Sequence, residues 1–486
     1  MKYLKQQGSD PKGHPGLARS GPLGHVGSDP IGHITRRAFI GGAASASFLI
    51  GGCRLGRAAP RRPKPSERVT VGIIGCGTQA YTNVPMFLGD SRAQVVVVCD
   101  PVLRGEGYSY DGKHPGGRAV FKEKVDAHYG DQGCRMTADW REVVDDPSID
   151  AVVVITPDHW HAPIALAAMR RGKHVYCQKP MTLGISEGKE MVKVAHASGV
   201  TFQVGSQHRG DSSFRAAGEI VANGLIGEVK EAYVGLPGAN GGMWGHGRDT
   251  SLRPRPAHFT PEGWDMWLGP SRHWPDDAFI SAIHEPMCWR WNSRTGGGMI
   301  TDWGAHWIDI LQWTIGMERS GPVAVENMKT DLGDDIVLDW AAHYSFDLVY
   351  ANGFRAHVSD SARCGILWKG AKGDVFADWA KLERPEFLRK WSEKRDLKDG
   401  DVKFYRSKDG HGHESDFLDG IYENRPIATD CEIGHRSISA CHIANICERL
   451  RLERLAWDPV AERFTGAHAA EANALAEVPH LNGWEM

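Results

Sequence analysis

The sequence predicts an α/β fold: a doubly wound parallel sheet first, then a C-terminal α+β domain with an open-faced, mainly antiparallel sheet. Three observations predict it. A β-branched apolar run, Val69-Thr70-Val71-Gly72-Ile73-Ile74, leads straight into Gly75-Cys76-Gly77-Thr78-Gln79-Ala80. Further short apolar runs then alternate with helical stretches up to about residue 206, the signature of βαβ units. From Gly227 onward, alternating runs such as Val229 to Val234 and Trp340 to Phe346 have the period of antiparallel strands with one covered face. At 486 residues the chain exceeds what one hydrophobic core normally serves.

The first 66 residues stand apart from this pattern. Residues 1–34 are rich in Gly, Pro, His and Ser without apolar period and read as disordered. Thr35-Arg36-Arg37-Ala38-Phe39-Ile40 then precedes a weakly apolar run from Gly41 to Gly52, too short to span a bilayer. This stretch resembles a twin-arginine (Tat) export signal, which implies a periplasmic protein exported already folded. Ile50-Gly51-Gly52-Cys53 resembles a lipobox, which implies a lipid anchor on Cys53; a soluble signal with an incidental cysteine remains the alternative. The Arg- and Pro-rich residues 54–66 read as a tether. The expected organisation is therefore a leader at 1–66, a nucleotide-binding domain at 67–206 and a substrate and oligomerisation domain at 207–486.

Within the first domain each element has a local reason. The run at 69–74 is apolar throughout, as a strand buried on both faces must be. Gly75 permits the tight turn that follows, Gly77 lets the backbone approach a pyrophosphate, and Ala80 lets the next helix pack closely. Thr78 and Gln79 open that helix, whose N-terminal N–H groups suit phosphate. A second run, Val95 to Cys99, ends at Asp100, 25 positions after Gly75. That is near the spacing of the acid that binds the adenosine ribose hydroxyls, although Asp100 also reads as a strand-end turn residue before Pro101. A carboxylate there repels a 2′-phosphate, so NAD is expected rather than NADP. The segment from Leu103 to Gly117 reads as a loop insertion. Asp139 to Val144 is helical, and the strand Ala151 to Ile155 delivers Thr156-Pro157-Asp158-His159-Trp160-His161 to its carboxyl end, where open sheets bind ligands. A helix from Ala162 to Arg171 leads to the strand His174 to Cys177 and then to Gln178-Lys179-Pro180. A helix from Ser186 to Ser198, stopped by Gly199, precedes the last strand, Thr201 to Val204. Six strands alternating with helices make a Rossmann fold.

With these residues in view the chain resembles the glucose–fructose oxidoreductase / inositol dehydrogenase (Gfo/Idh/MocA) family from about Val69 to the C-terminal region. The resemblance is carried by the glycine motif at 75–80, by Thr156 to His161, by Cys177-Gln-Lys-Pro180 and by Gly296-Gly-Gly-Met-Ile-Thr-Asp-Trp-Gly-Ala-His-Trp-Ile-Asp309. It implies a nicotinamide-dependent oxidoreductase with His306 as proton acceptor and Asp302 as its partner or a substrate ligand. Lys179 would bind the reacting oxygen and orient the nicotinamide ribose. One departure stands out: the family usually carries Glu-Lys-Pro, and Gln178 removes that negative charge beside Lys179. Thr156, Pro157, His159 and His161 are expected around the cofactor. Gln207, Arg209, Trp291 and Asp309 are expected sugar contacts, with His208, Trp289, Arg290 and Asn292 as further candidates.

The residues support the same chemistry from below. Asp302 and His306 are four apart, so on one helix their side chains share a face. A carboxylate on one imidazole nitrogen fixes the tautomer and frees the other for acid–base work. A buried packing pair is the structural alternative. Asp309, three beyond His306, reads equally as a substrate ligand or a core hydrogen bond. The 17 Trp residues, many between Trp244 and Trp313, suit the C–H faces of sugar rings or a core. The ten Cys form no C-x-x-C pair, and His411-Gly-His413-Glu414 is too sparse for a metal site, so no metal is expected. A formal net charge of −3 without like-charge runs excludes a nucleic-acid footprint. The resemblance further implies a small carbohydrate substrate and a homo-oligomer, dimer or tetramer. Two other functions compete: a glycosidase acting by transient oxidation and elimination on tightly bound NAD, and a non-enzymatic sugar or NAD sensor. No pair of carboxylates placed as in ordinary glycosidases is evident.

Overall fold

The computed structural model describes residues 64, 67–106, 114–237, 255–271, 288–334, 337–394, 397–404 and 412–478. The export and lipidation motifs at 35–53, the centre of the 103–117 insertion and His411 lie outside them.

Six strands, β1 (Val69–Ile74), β2 (Ala93–Cys99), β3 (Arg135–Thr137), β4 (Ala151–Val154), β5 (His174–Cys177) and β6 (Phe202–Val204), form one sheet in the order β3-β2-β1-β4-β5-β6. Every pairing is parallel. Helices on both faces bury the sheet, which is why β4 and β5 are buried at every position. The strand order reverses between β1 and β4, and a crevice opens beyond their carboxyl ends. Gly75 sits there with φ +102°, and a Cβ on it would lie 2.4 Å from the Ile155 carbonyl oxygen. No residue with a side chain fits that approach.

Nine strands form the second sheet: β7 (Val229–Gly235), β8 (Ala324–Thr330), β9 (Tyr344–Val349), β10 (Arg355–Ser359), β11 (Gly365–Gly370), β12 (Val375–Ala377), β13 (Leu382–Glu383), β14 (Leu455–Asp458) and β15 (Arg463–Thr465). Their order is β13-β12-β11-β7-β10-β9-β8-β14-β15. All pairings are antiparallel except β7 with β10. One face carries apolar residues beneath the helices Gly304–Thr314 and Cys431–Arg449. The other is polar, with Asp347 bonded to both Arg355 and His357. The fold class read from the sequence is the one observed.

Three local readings are corrected. Asp302 and His306 do not share a helix, because the chain breaks at Trp303 into Gly298–Asp302 and Gly304–Thr314. The segment after about Trp457, whose sequence reads as a strand-poor arm, instead pairs β15 with β14 and continues into the helix Ala469–Ala476. The strand expected at Trp340 to Phe346 runs from Tyr344 to Val349.

The first sheet is completed from a distance. On one face Val69, Val71 and Ile73 pack with Phe87 and with Phe417, Leu418 and Ile421 of the helix His413–Glu423. Arg92 bonds to Asp419 and Ser415 of that helix.

Candidate active site

A cavity of about 420 Å³ opens at the crevice. Gly75, Gly77, Thr78, Gln79, Asp100, Thr156 and Pro157 line it, and so do Gln178, Lys179 and Asp302. The glycine turn, the strand-end acid and the Lys179–Asp302 pair, far apart in sequence, therefore share one space. Asp100 is fixed by its own backbone surroundings: Oδ2 accepts from Cys76 N at 2.8 Å and Oδ1 from Val102 N at 2.8 Å. The helix Ala80–Gly89 that starts beside the glycines has no acidic residue in its first turn and no side-chain cap. Its positive dipole end is left for an anion. The Thr156 hydroxyl is buried without a hydrogen-bond partner. An orphan donor of this kind in a glycine-walled crevice fits a dinucleotide.

Lys179 lies two residues past β5 and is joined to Pro180 by a cis bond. Its Nζ donates to the Asp302 carbonyl and to Asp302 Oδ1, both at 2.9 Å. Arg290 Nε also meets Asp302 Oδ1, at 3.3 Å. Burial opposes ionisation of Asp302, but these two cations outweigh it and hold the carboxyl below its ordinary range. The partner of Asp302 is thus Lys179 rather than His306. That pair also answers the missing charge at Gln178. The Gln178 amide is instead a scaffold: Nε2 donates to Asn83 Oδ1 at 2.8 Å, Oε1 accepts from Lys179 N at 3.1 Å, and Asn83 Nδ2 donates to Glu414 at 3.0 Å.

His306 lies in the first turn of Gly304–Thr314, buried, with Nδ1 lacking a partner. Burial first, then the charges of Lys179, His208 and His413, drive its pKa well below the ordinary histidine value. A neutral imidazole results, which is the form that accepts a proton. His208 stands across from it, ring centroids 4.5 Å apart and nearly perpendicular, with Nδ1 on Asp211 at 2.6 Å.

Other expected site residues are placed elsewhere. Arg209 and Asp309 are spent on each other: Nε meets Oδ2 and Nη2 meets Oδ1, each at 2.7 Å, in a pair about 2% and 1% exposed. Ser437, Glu318 and the Ala428 carbonyl take the remaining bonds. Neither is available to a sugar. Trp291 is wholly buried in the core. Gln207 donates to the Tyr176 hydroxyl at 3.3 Å. His161 bridges the Pro180 and Thr156 carbonyls at 2.6 and 2.9 Å, and His159 meets the Trp267 carbonyl at 3.0 Å. Burial depresses both imidazoles to about 4, and a neutral His161, with a single N–H, donates to only one of its two carbonyls at a time. Trp160 Nε1 donates to the same Trp267 carbonyl at 2.9 Å, pinning the helix Pro261–Leu268 as the far wall. Among the described residues no group of three His, Cys, Asp or Glu is placed to hold a metal.

One cavity residue was missed as a site residue and another was given a different role. Asp158 is buried in the wall, and burial together with the nearby Asp302 charge raises its pKa well above the carboxylate range. Its place between Thr156 and His161 at a strand end was the available signal. Arg290, taken for a sugar contact, instead supplies the second cation at Asp302, and no local spacing announces that.

Comparison with known proteins agrees with this geometry. Residues 69–206 match the model of an oxidoreductase family with an NAD-binding Rossmann fold, and residues 213–486 match that family's C-terminal alpha/beta domain. Levoglucosan dehydrogenase of Pseudarthrobacter phenanthrenivorans is 25% identical over 261 residues, covering 51% of this chain and 52% of that one. The chain thus spans about half the length of that relative. Inositol 2-dehydrogenase of Rhizobium meliloti is 29% identical over 319 residues, covering 64% and 76%. Among solved structures, the WlbA dehydrogenase of Bordetella pertussis in complex with NADH and UDP-GlcNAcA shares the fold at a TM-score of 0.56 and 17% identity, covering 82% of this chain and 99% of that one. Both domain models match along nearly the whole folded chain, and it belongs to the Gfo/Idh/MocA oxidoreductase family.

Proposed function

We propose that the chain is an NAD-dependent oxidoreductase acting on a carbinol carbon of a sugar, cyclitol or related polyol. The observation that carries this reading is that Lys179 and Asp302 line the same cavity as Gly75, Gly77 and Asp100, with the neutral His306 close enough to feel the Lys179 charge. Bound in that cavity, NAD supplies the hydride acceptor. The protein residues supply the rest. Lys179, fixed by Asp302, presents its ammonium to the reacting oxygen and stabilises the negative charge that grows there. His306 accepts the hydroxyl proton; the depressed basicity that keeps it neutral also makes it release the proton readily. Asp302 stays ionised, so the Lys179–Arg290–Asp302 cluster carries one net positive charge, which favours an alkoxide-like oxygen.

The Asp100 carboxylate supports NAD over NADP by repelling a 2′-phosphate. The Arg36-Arg37 motif supports export to the periplasm, and Cys53 supports a lipid anchor there. The uncovered polar face of the nine-stranded sheet, where the Tyr233 and His357 rings lean together with centroids 4.8 Å apart, supports assembly into a homo-oligomer.

The test is nucleotide content and turnover of the purified protein. Release of NAD on denaturation, or NAD reduction with a free sugar or cyclitol, is expected. Cleavage of a glycoside with bound NAD and no added cofactor would move the protein to the internal-redox glycosidase reading. A protein that neither carries nor binds a nicotinamide nucleotide would end both.

A further inference from the structure

Trp379 stands at the turn between β12 and β13 and is 37% exposed. The turn is pinned. Asp378 N donates to the Lys381 carbonyl at 3.0 Å, Asp378 Oδ1 accepts from Ala380 N and Lys381 N at 2.8 and 2.7 Å, and Ser213 Oγ donates to the Asp378 carbonyl at 2.5 Å. One face of the indole stacks on the fully buried Trp307 at 5.7 Å and 19°. The Trp303 ring leans on it at 5.8 Å and 47°. The exposed surface is therefore the face turned away from Trp307. A single exposed aromatic is ordinary; what singles out Trp379 is that a rigid, partly uncovered indole adjoins the ring cluster around His306.

The position of that face decides what it contacts. Trp303 lies 5.7 Å from His306, and Trp379 lies one further ring step away, with no ring contact to His306 itself. A ligand whose hydroxyl reached His306 would meet Trp303 first and Trp379 one ring step further on. His208 and Asp211 flank His306, part-exposed and able to take hydroxyl hydrogen bonds. Flat aromatic faces with a carboxylate nearby suit pyranose rings, whose C–H faces are apolar and whose edges are polar.

We infer that Trp379 is the platform for a second sugar ring, so that the preferred ligand is a glycoside with its reacting ring at Trp303 and His306, rather than a free monosaccharide or cyclitol. This rests on His306 being the proton acceptor for a carbohydrate.

The full-length protein, loaded with NAD, is titrated with maltose, cellobiose and lactose and separately with glucose and galactose, following intrinsic fluorescence and binding heat. At least one disaccharide should bind about tenfold more tightly than its component monosaccharide, the size of one good stacking contact. Trp379→Ala should erase that margin, Trp379→Phe should keep most of it, and NAD affinity should be unchanged in both. Equal binding of disaccharides and monosaccharides, no disaccharide binding, or a margin that survives Trp379→Ala overturns the inference. Failure of the parent protein to bind NAD, read beforehand by titrating NAD alone, would instead strike the oxidoreductase reading.

Discussion

Replacing Asp309 by Asn tests whether that carboxylate serves the fold or the substrate. The side chain keeps its shape and loses its charge, and one of its two acceptor oxygens becomes an NH2 facing a guanidinium that has only N–H groups to offer. One of the two 2.7 Å bonds is lost and the other passes from a carboxylate to a neutral amide oxygen, in a site that is almost fully buried. One-sided removal of a buried ion pair costs about 3–5 kcal/mol. Glu318 still meets Arg209 Nη1 at 2.8 Å, and the Ala428 carbonyl still accepts at 3.0 Å, so the lower end applies. A loss of about 3 kcal/mol lowers Tm by about 6 °C at roughly 2 °C per kcal/mol, the large-domain end of the range. Calorimetry and urea unfolding measure this, and KM for whichever sugar is turned over should stay unchanged in the folded variant. The double variant Asp309→Leu with Arg209→Met should be less damaged than the single one, because it strands no charge. An Asp309→Asn protein of parental Tm with a KM raised about tenfold would refute the argument, since a tenfold change is the mark of a lost ligand contact.

Three further outcomes are expected. His159 and His161, held near 4, and His442, held near 3, are neutral in the fold but charge at about 6.5 when unfolded. The unfolded chain binds more protons between those values, so stability falls as pH drops from 6.5 toward 4, by about 1.4 kcal/mol per unit for each histidine; equal urea midpoints at pH 7 and pH 5 would contradict this. Because His306 must be neutral to accept a proton and its pKa lies well below the ordinary value, kcat/KM for oxidation should stay level from pH 8 down to about 6. His306→Asn should cost about 10²–10⁴-fold in kcat with NAD affinity retained, and a half-fall near neutral pH or an active variant would remove it from the proton step. Gly75→Ala forces a Cβ to 2.4 Å from a carbonyl oxygen at φ +102°; NAD binding should be lost together with about 1–3 kcal/mol of stability from backbone strain, and isothermal titration showing parental affinity would show that the turn yields.

What could be read in the sequence was local chemistry. The buried parallel strands announce themselves because a strand covered on both faces must be apolar throughout, and Gly75 and Asp100 mark where two of them end. The cavity could be assembled from such strand ends. What could not be read was pairing across distance. Arg209 and Asp309 look like two free polar residues until the fold brings them together. The spacing of Asp302 and His306 promised one helical face, but spacing does not reveal the break at Trp303, which turns the carboxylate toward Lys179. The tryptophans divided the same way: Trp291 went to the core and Trp379, outside the stretch that looked richest, to the surface.

The helix His413–Glu423 has a consequence for the order of events in the life of the chain. Phe417, Leu418 and Ile421 cap a sheet whose last strand ends at Val204. A ribosome that has finished the nucleotide-binding half has therefore delivered a sheet covered on this side only by the helices Ala80–Gly89 and Arg118–Tyr129, and part of it stays open while roughly two hundred more residues are synthesised. During that interval Val69, Val71 and Ile73 lack part of their roof. The closing helix also brings Glu414, whose carboxylate holds Asn83 and through it Gln178 beside Lys179. Maturation of the nucleotide site is thus timed by the far end of the polypeptide, and a chain stopped before that helix would be left with an unfinished cleft as well as an unfinished core.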